Sequence, residues 1–537
     1  MTNDPELRTI GDDVRSQPSG SHSSGRLKSL TRVDLTLIAG LVCAAWILYR
    51  PLNVRPFDYI DFPENIVLLQ SGHSITDRFT IVLHSYEQHG RWNPVAIALL
   101  AVQWSLFGWW TPGWQLFRYV VMAMTTVFGY SLYRKLDLLP IGSFAAATLL
   151  VTSPAASQGW LRLSTAEPVG VLLVVAACHY ALRSYGDKEA RRASWTVAVL
   201  LLLATWEKEM IAAAFVLPAI LLLAVRTDGT LGRPRRGRIA FLVPSLIAIV
   251  AAGFPILLTL ANSPANSFAS AYGSVRPSAV SVIGSVLVSL LPFTPVSAEG
   301  GSRFGVVLVF VGLLVLGWRS LFQPSTRTVH LRQLLLLGLV TPLVGALAYS
   351  LWPFYVFVYA LPFVVGGALV LGGAVTSLTM SRPSWRLIGT IAFAVVVWTS
   401  FATAFNETQR TLATQAVVAE TVTRISAMPN VDSVLVAVAD DQFAASGTFS
   451  PRLSLYARAL RIPWPAVRDV RCATDSTPSP ALRTVALWFS VMCSPPKNGI
   501  PLLSAPYRRI SWSKPFLLQD SVRVYTSASA SPADVVP

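Results

Sequence analysis

Charge is scarce in this chain. Only 13% of its 537 residues are charged, against about 25% in soluble domains, while 53% are hydrophobic and mean hydropathy is +0.53. That deficit excludes a water-soluble globule. Several signatures of soluble chemistry are missing too. There is no Gly-rich phosphate-cradling loop, so a nucleotide donor is not expected. There is no recognisable Ser-His-Asp set and no tight His-x-x-x-His spacing of zinc enzymes. No internal repeat is found, and the first 25 residues lack the n-region and cleavage site of a signal peptide.

What is present is a series of apolar runs. A helix needs about 20 apolar residues to cross the hydrocarbon, and the runs here predict a polytopic membrane protein. The formal charge of +16 does not point to nucleic acid, because Arg and Lys sit in short segments between the runs, as in cytoplasmic loops. Spans are expected at 33–49, 115–133, 139–152, 168–182, 194–206, 210–225, 239–260, 304–317, 333–350, 353–375 and 386–404. Arg26, Lys28 and Arg32 place the N-terminus inside, after a disordered tail over 1–32. Arg134-Lys135, the basic 183–192 and 226–238 loops, Arg319–Arg332 and Arg382–Arg386 then also fall inside. About 11 spans put everything after Phe405 outside. The segment 278–292 reads as a surface or re-entrant helix, and Asn93–Trp110 as an interfacial helix of the outer leaflet. Trp104, Trp109, Trp110 and Trp114 suit that level.

Residues 405–537 are polar and Pro-rich. Helical spacing over Ala413–Ile425 and strand-like runs at Ser433–Val438, Arg483–Val491 and Ser521–Tyr525 predict a small external α/β domain. Cys472 and Cys493 lie in it, where a pair can oxidise, and the sequence does not show whether they meet. Cys43 and Cys178 fall within spans and read as packing residues. The fold class expected is therefore an all-α polytopic membrane bundle, 33–404, with a first external loop at 50–114 and a soluble domain at 405–537.

The charges that remain outside the basic loops gather on the external side. Asp58, Asp61 and Glu64 open the first loop, which also holds His73, His84, Glu87, His89 and Arg91. Arg162 and Glu167 stand at the mouth of span 168–182, and Glu207-Lys208-Glu209 makes the turn between 194–206 and 210–225. A carboxylate there can take a proton from an attacking hydroxyl or amine, and Arg91, Arg162 and Lys208 can bind a lipid-borne phosphate. Taken singly, Asp58 and Asp61 are as readily hydrated loop acids or helix caps, and each cation a partner for lipid headgroups. No cofactor is expected. The histidines and nearby acids leave a divalent metal as an alternative.

Several stretches carry a resemblance. Phe57-Asp58-Tyr59 is followed, fourteen residues after Asp58, by the Gly72 of Leu68-Leu-Gln-Ser-Gly72. Then come His89-Gly-Arg91-Trp-Asn-Pro94, Phe107-Gly108, Phe117-Arg118, Pro154, Glu167, Thr205-Trp-Glu-Lys208-Glu, and Tyr349, Tyr359 and Pro362. In this order, over about 30–375, the chain resembles the GT-C-fold membrane glycosyltransferases that use polyprenyl-phosphate sugars, with the protein O-mannosyltransferase and aminoarabinose transferase branch most alike. The family's usual Asp-Glu pair stands here as Asp58-Tyr59, which leaves Asp61 as an alternative base, and the second-loop acid is Glu167 where Asp is commoner.

The resemblance implies an inverting hexosyl- or pentosyltransferase of the cytoplasmic (inner) membrane. Its donor would be a polyprenyl-phosphate sugar and its acceptor a cell-envelope glycan, lipid or protein. Asp58, Asp61 and Glu167 are the implied catalytic residues, and His89, Arg91, Arg162, Lys208 and Tyr359 the implied substrate-binding ones. Two other readings predict different residues. A lipid-linked glycan flippase needs polar groups deep within its spans. A membrane scaffold, with the external domain as its working part, needs none of these acids.

Overall fold

The computed structural model describes residues 30–50, 63–162 apart from His89, 166–182, 187–224, 235–262, 338–345 and 357–428 apart from 381–382, and beyond these chiefly five strands. The expected segments 278–292 and 304–317, most of 333–350, and Cys472 and Cys493 lie outside the described residues.

The described chain is mostly helical. In order, α1 is Arg32–Tyr49, α2 Pro63–Ser71, α3 Ile75–Gln88, α4 Pro94–Phe107, α5 Thr111–Lys135, α6 Pro140–Thr152, α7 Pro154–Leu161, α8 Glu167–Leu182 and α9 Asp187–Glu207. A 3₁₀ helix, Glu209–Phe215, leads into α10 (Val216–Ala224), and α11 covers Arg235–Asn262. A second 3₁₀ helix, Phe357–Phe363, precedes α12 (Val364–Met380) and α13 (Pro383–Ala427). Among the described residues, three helical stretches are long and apolar enough to cross a membrane, Arg32–Tyr49, Ala360–Met380 and Pro383–Ala427. Together with the shorter apolar helices they make a multi-pass membrane protein.

Polar contacts at the helix ends set the direction of each helix. The Tyr130 hydroxyl on α5 donates to Asp34 Oδ1 on α1 at 2.6 Å, and Arg134 Nε lies 2.9 Å from the same oxygen. Asp34 also closes a capping box with Thr31. At the opposite end of α1, the Tyr49 hydroxyl donates to Val151 O of α6 at 2.5 Å, and Leu139 N at the start of α6 donates to Thr376 Oγ1 near the end of α12. Helices α1, α5, α6 and α12 therefore alternate in direction, as the expected span order requires. Lys135 Nζ lies 2.8 Å from His179 Nε2, so α8 ends beside the end of α5 and begins at the far end of the bundle.

Close approach of backbones replaces the hydrophobic drive that is absent between helices in lipid. A Cβ on Gly372 of α12 would lie 2.5 Å from Gly142 O of α6, and one on Gly366 would lie 2.5 Å from Gly338 O on the helical residues 338–345. Small residues thus seat α12 between two neighbours, and α12 is buried along its length. Cys178 is buried in this core, whereas Cys43 is on the open face of α1.

The expected span 386–404 and the helix-like Ala413–Ile425 are parts of one 45-residue helix, α13, about 68 Å long at 1.5 Å per residue. Its distal part packs on a five-stranded sheet of order β2-β1-β3-β5-β4. The strands are β1 (Ser433–Val438), β2 (Ala466–Arg471), β3 (Thr484–Phe489), β4 (Ile500–Arg509) and β5 (Leu518–Thr526). β1 is parallel to β2 and β3, with Val434 opposite Val467 and Val485; β3 with β5, and β4 with β5, are antiparallel. Val434 and Val436 alternate on the buried face. The three strands expected from sequence are β1, β3 and β5. The two that periodicity missed, β2 and β4, are the edges of the sheet. Edge strands tolerate the charges of Ala466–Arg471 and the two prolines of Ile500–Arg509, which blur the strand signal.

One apolar cluster joins this sheet to helices α2, α3 and α4. Ile66 of α2, Val82 of α3, Ile97 and Trp104 of α4, Val417 and Val422 of α13, and Val434 and Leu487 of the sheet belong to it. Arg78 holds the loop helices together, donating from Nε to Leu69 O at 3.1 Å and from Nη1 to Ser105 Oγ at 2.6 Å.

Candidate functional site

The expected turn at Glu207-Lys208-Glu209 is a break between two helix types. α9 ends at Glu207, Lys208 is extended (φ −163°, ψ 127°), and the 3₁₀ helix begins at Glu209. Ile211 of that 3₁₀ helix fills the space a Cβ on Gly170 of α8 would need. This contact, one turn from Glu167 on one side and three residues from Lys208 on the other, brings the two charged residues together. Lys208 Nζ donates to Glu167 Oε1 at 2.5 Å. Glu167 is 1% exposed and lies in the first turn of α8, where the helix N-terminus favours a negative charge.

Glu207 is 2% exposed and completes the cluster from the other side of the break. Burial pushes its carboxyl up to about 8, with the Glu167 charge adding to the rise and Arg118 and Lys208 opposing it. Glu207 is therefore a neutral acid at pH 7, beside the Lys208–Glu167 pair. One oxygen each of Glu167 and Glu207 has no hydrogen-bond partner among the described residues. Arg118 of α5 is 3% exposed, and Gln115, one turn earlier, donates from Nε2 to Leu161 O of α7 at 2.9 Å. Asn93, with its amide turned to suit both neighbours, donates to Glu209 Oε1 at 2.7 Å and to Trp92 O at 2.9 Å. The start of α4 is thereby tied to the turn that carries Lys208.

Of the residues singled out in the sequence, the structure brings Glu167 and Lys208 into contact. Arg162 caps the end of α7 and is partly buried, and Arg91 follows the Gly90 turn, its N–H donating to Tyr86 O at 3.0 Å. Tyr359 lies in the 3₁₀ helix Phe357–Phe363, which packs on α7 and α8 at the same end of the bundle; its side chain is outside the described set. Asp58, Asp61 and His89 lie outside the described residues. Among the described residues no three His, Cys, Asp or Glu side chains gather as a metal ion requires. Sequence reasoning did not select Glu207, Arg118 or Asn93 as site residues. Arg118 carried a usable signal, a lone cation in an apolar span. The burial of Glu207 carried none.

Such a cluster can hold an anion on Lys208 and Arg118 in a dry setting, keep a carboxylate fixed, and keep one further carboxyl protonated. These are the requirements for positioning a phosphate and managing protons at a membrane surface.

No family model matches the sequence, and a search of curated proteins finds no match. Among solved structures, the chain is similar to ArnT from Cupriavidus metallidurans bound to undecaprenyl phosphate, at 11% identity and TM-score 0.44, over 94% of this chain and 99% of that one. It is similar to the Archaeoglobus fulgidus oligosaccharyltransferase in complex with Zn and sulfate, at 10% identity and TM-score 0.42, over 78% and 61%. It is also similar to the mycobacterial arabinofuranosyltransferase AftD, at 14% identity and TM-score 0.42, over 93% and 40%. These neighbours are GT-C glycosyltransferases, the class named by the sequence resemblance. At TM-scores below 0.5 they carry no argument about the reaction, which rests on the site itself.

Proposed function

We propose that this protein is a membrane glycosyltransferase that moves a sugar from a polyprenyl-phosphate donor to a cell-envelope glycan, lipid or protein acceptor, with inversion. The observation that carries the reading is the buried Lys208–Glu167 pair, with buried Glu207 beside it, at one end of a bundle of apolar helices.

The acceptor oxygen or nitrogen attacks the anomeric carbon. The bond from that carbon to the phosphate oxygen breaks, and its electron pair stays on the polyprenyl phosphate. Asp58, or Asp61, takes the acceptor's proton. The phosphate's charge grows from about −1 to −2 as it leaves, so the cations nearby act where charge develops. Lys208, Arg91 and Arg162 hold the phosphate, Glu167 fixes Lys208, and His89 and Tyr359 contribute to binding the donor phosphate or the acceptor. No cofactor takes part.

The topology that goes with this chemistry has about 11 spans in the cytoplasmic membrane, the N-terminus inside, and the Lys208 end and the C-terminal sheet outside. The test is mass analysis of cell-envelope glycans with and without the protein. The reading expects one sugar to disappear from one glycan class when the protein is removed. An unchanged glycan profile overturns it.

A further inference from the structure

Asn93 stands at the N-cap position of α4, where a short polar side chain ordinarily accepts from the first free backbone N–H groups of its helix. Here it makes no such cap. Pro94 follows at the first helical position with no N–H to satisfy, and the Asn93 amide reaches out of the helix instead. Oriented to suit both neighbours, it donates to Glu209 Oε1 at 2.7 Å and to Trp92 O at 2.9 Å. Asn93 is 6% exposed, so this contact is made away from water. A buried amide that leaves its own helix uncapped to hold a carboxylate on another element has given up local stability for a long-range contact.

Both ends of that contact are fixed. α4 is seated by its buried face, Ile97, Leu100, Ala101 and Trp104, and by Arg78 of α3, which donates to Ser105 Oγ at 2.6 Å. Glu209 opens the 3₁₀ helix directly after Lys208, whose N–H donates to Ala204 O at 3.0 Å and whose carbonyl accepts from Ile211 N at 2.9 Å. The break that carries Lys208 is thus held by Ile211 against Gly170 of α8 and by Glu209 against Asn93 of α4. The two neighbouring side chains go to different elements, Lys208 to Glu167 on α8 and Glu209 to Asn93, so the one extended residue between the helices is restrained from two sides. We propose that Asn93 is a positioning residue for Lys208: by anchoring Glu209 to the start of α4, it fixes where the Lys208 ammonium meets a lipid-borne phosphate. The phosphate in this proposal rests on the glycosyltransferase reading; the restraint on Lys208 does not.

The test uses the full-length protein in nanodiscs, carrying Asn93→Ala, Glu209→Ala, both, or Glu209→Gln, and has two readouts. The first is binding of a short-chain polyprenyl phosphate and of the matching polyprenol, followed by native mass spectrometry. Asn93→Ala and Glu209→Ala should each weaken the phosphate about tenfold, the scale of one hydrogen bond to a charged group, and leave the polyprenol as it was. The double variant should lose no more than either single one, because both remove the same contact. Glu209→Gln keeps an acceptor oxygen for the amide and should keep most of the affinity. The second readout is the rate of reductive methylation of Lys208 in the ligand-free protein. The Lys208 side chain is 18% exposed, and loosening it should speed methylation severalfold, and equally, in the three alanine variants. Additive losses, equal weakening of the polyprenol, or methylation at the wild-type rate overturns the proposal. A wild type that binds the phosphate no better than the polyprenol, with methylation faster in the variants, removes the proposed function and leaves the restraint on Lys208 standing.

Discussion

Lys208 Nζ sits 2.5 Å from Glu167 Oε1, joining a helix break in one pair of spans to the first turn of a separate helix. Glu167 is almost fully buried, so removing Lys208 leaves its carboxylate without its ion-pair partner in a dry setting. Lys208→Met is expected to cost about 3–5 kcal/mol in stability. Glu167→Gln combined with Lys208→Met should recover most of that stability and none of the transfer activity. Thermal melts in detergent and a donor-consumption assay on the same samples separate the two effects. A double variant that regains activity would show that the pair is structural only.

Glu207 gives the protein a pH dependence of definite sign. Its carboxyl is raised from 4.5 to about 8 in the folded protein. Between those values the folded state binds more protons than the unfolded, so stability falls as pH rises. The contribution is complete below about pH 4.5 and is lost as pH passes through 8. Wild type should therefore melt lower at pH 8.5 than at pH 6, and Glu207→Gln should remove that difference. Identical melting curves for the two proteins across this range would place Glu207 among ordinary hydrated acids.

How far these features could be read in advance follows the physics of each. Glu167 and Lys208 were legible because isolated charges at the mouths of apolar runs have few reasons to be there. β1 matched its expected bounds because alternating Val residues in a central strand report burial directly. The edge strands β2 and β4 were not legible, since edges are where charge and proline are allowed. The continuity of α13 was available and missed. Between Gly389 and Met428 there is neither Pro nor Gly, so nothing in Phe405-Asn-Glu-Thr408 ends the helix. The neutrality of Glu207 depends on tertiary burial, which no local pattern encodes.

Helix contact through glycine makes a packing prediction. A side chain on Gly372 meets the backbone of Gly142, so relief requires α6 and α12 to separate. Gly372→Val should destabilise the protein by about 1–3 kcal/mol. A unchanged melting temperature would mean that the two helices do not approach as closely as described.

Topology has its own check. Thr448→Cys, in a background where the four native cysteines are replaced, should react in intact cells with a membrane-impermeant maleimide. Reaction only after lysis would put the C-terminal sheet on the inner side and the Lys208 cluster with it.

The most direct measurement follows the phosphate. Purified protein reconstituted in liposomes, given a polyprenyl-phosphate sugar and a cell-envelope extract as the source of acceptor, should release free polyprenyl phosphate as the sugar moves. Asp58→Asn and Lys208→Ala should each lower kcat/KM by about 100-fold or more. Release at the wild-type rate by both variants would contradict the account.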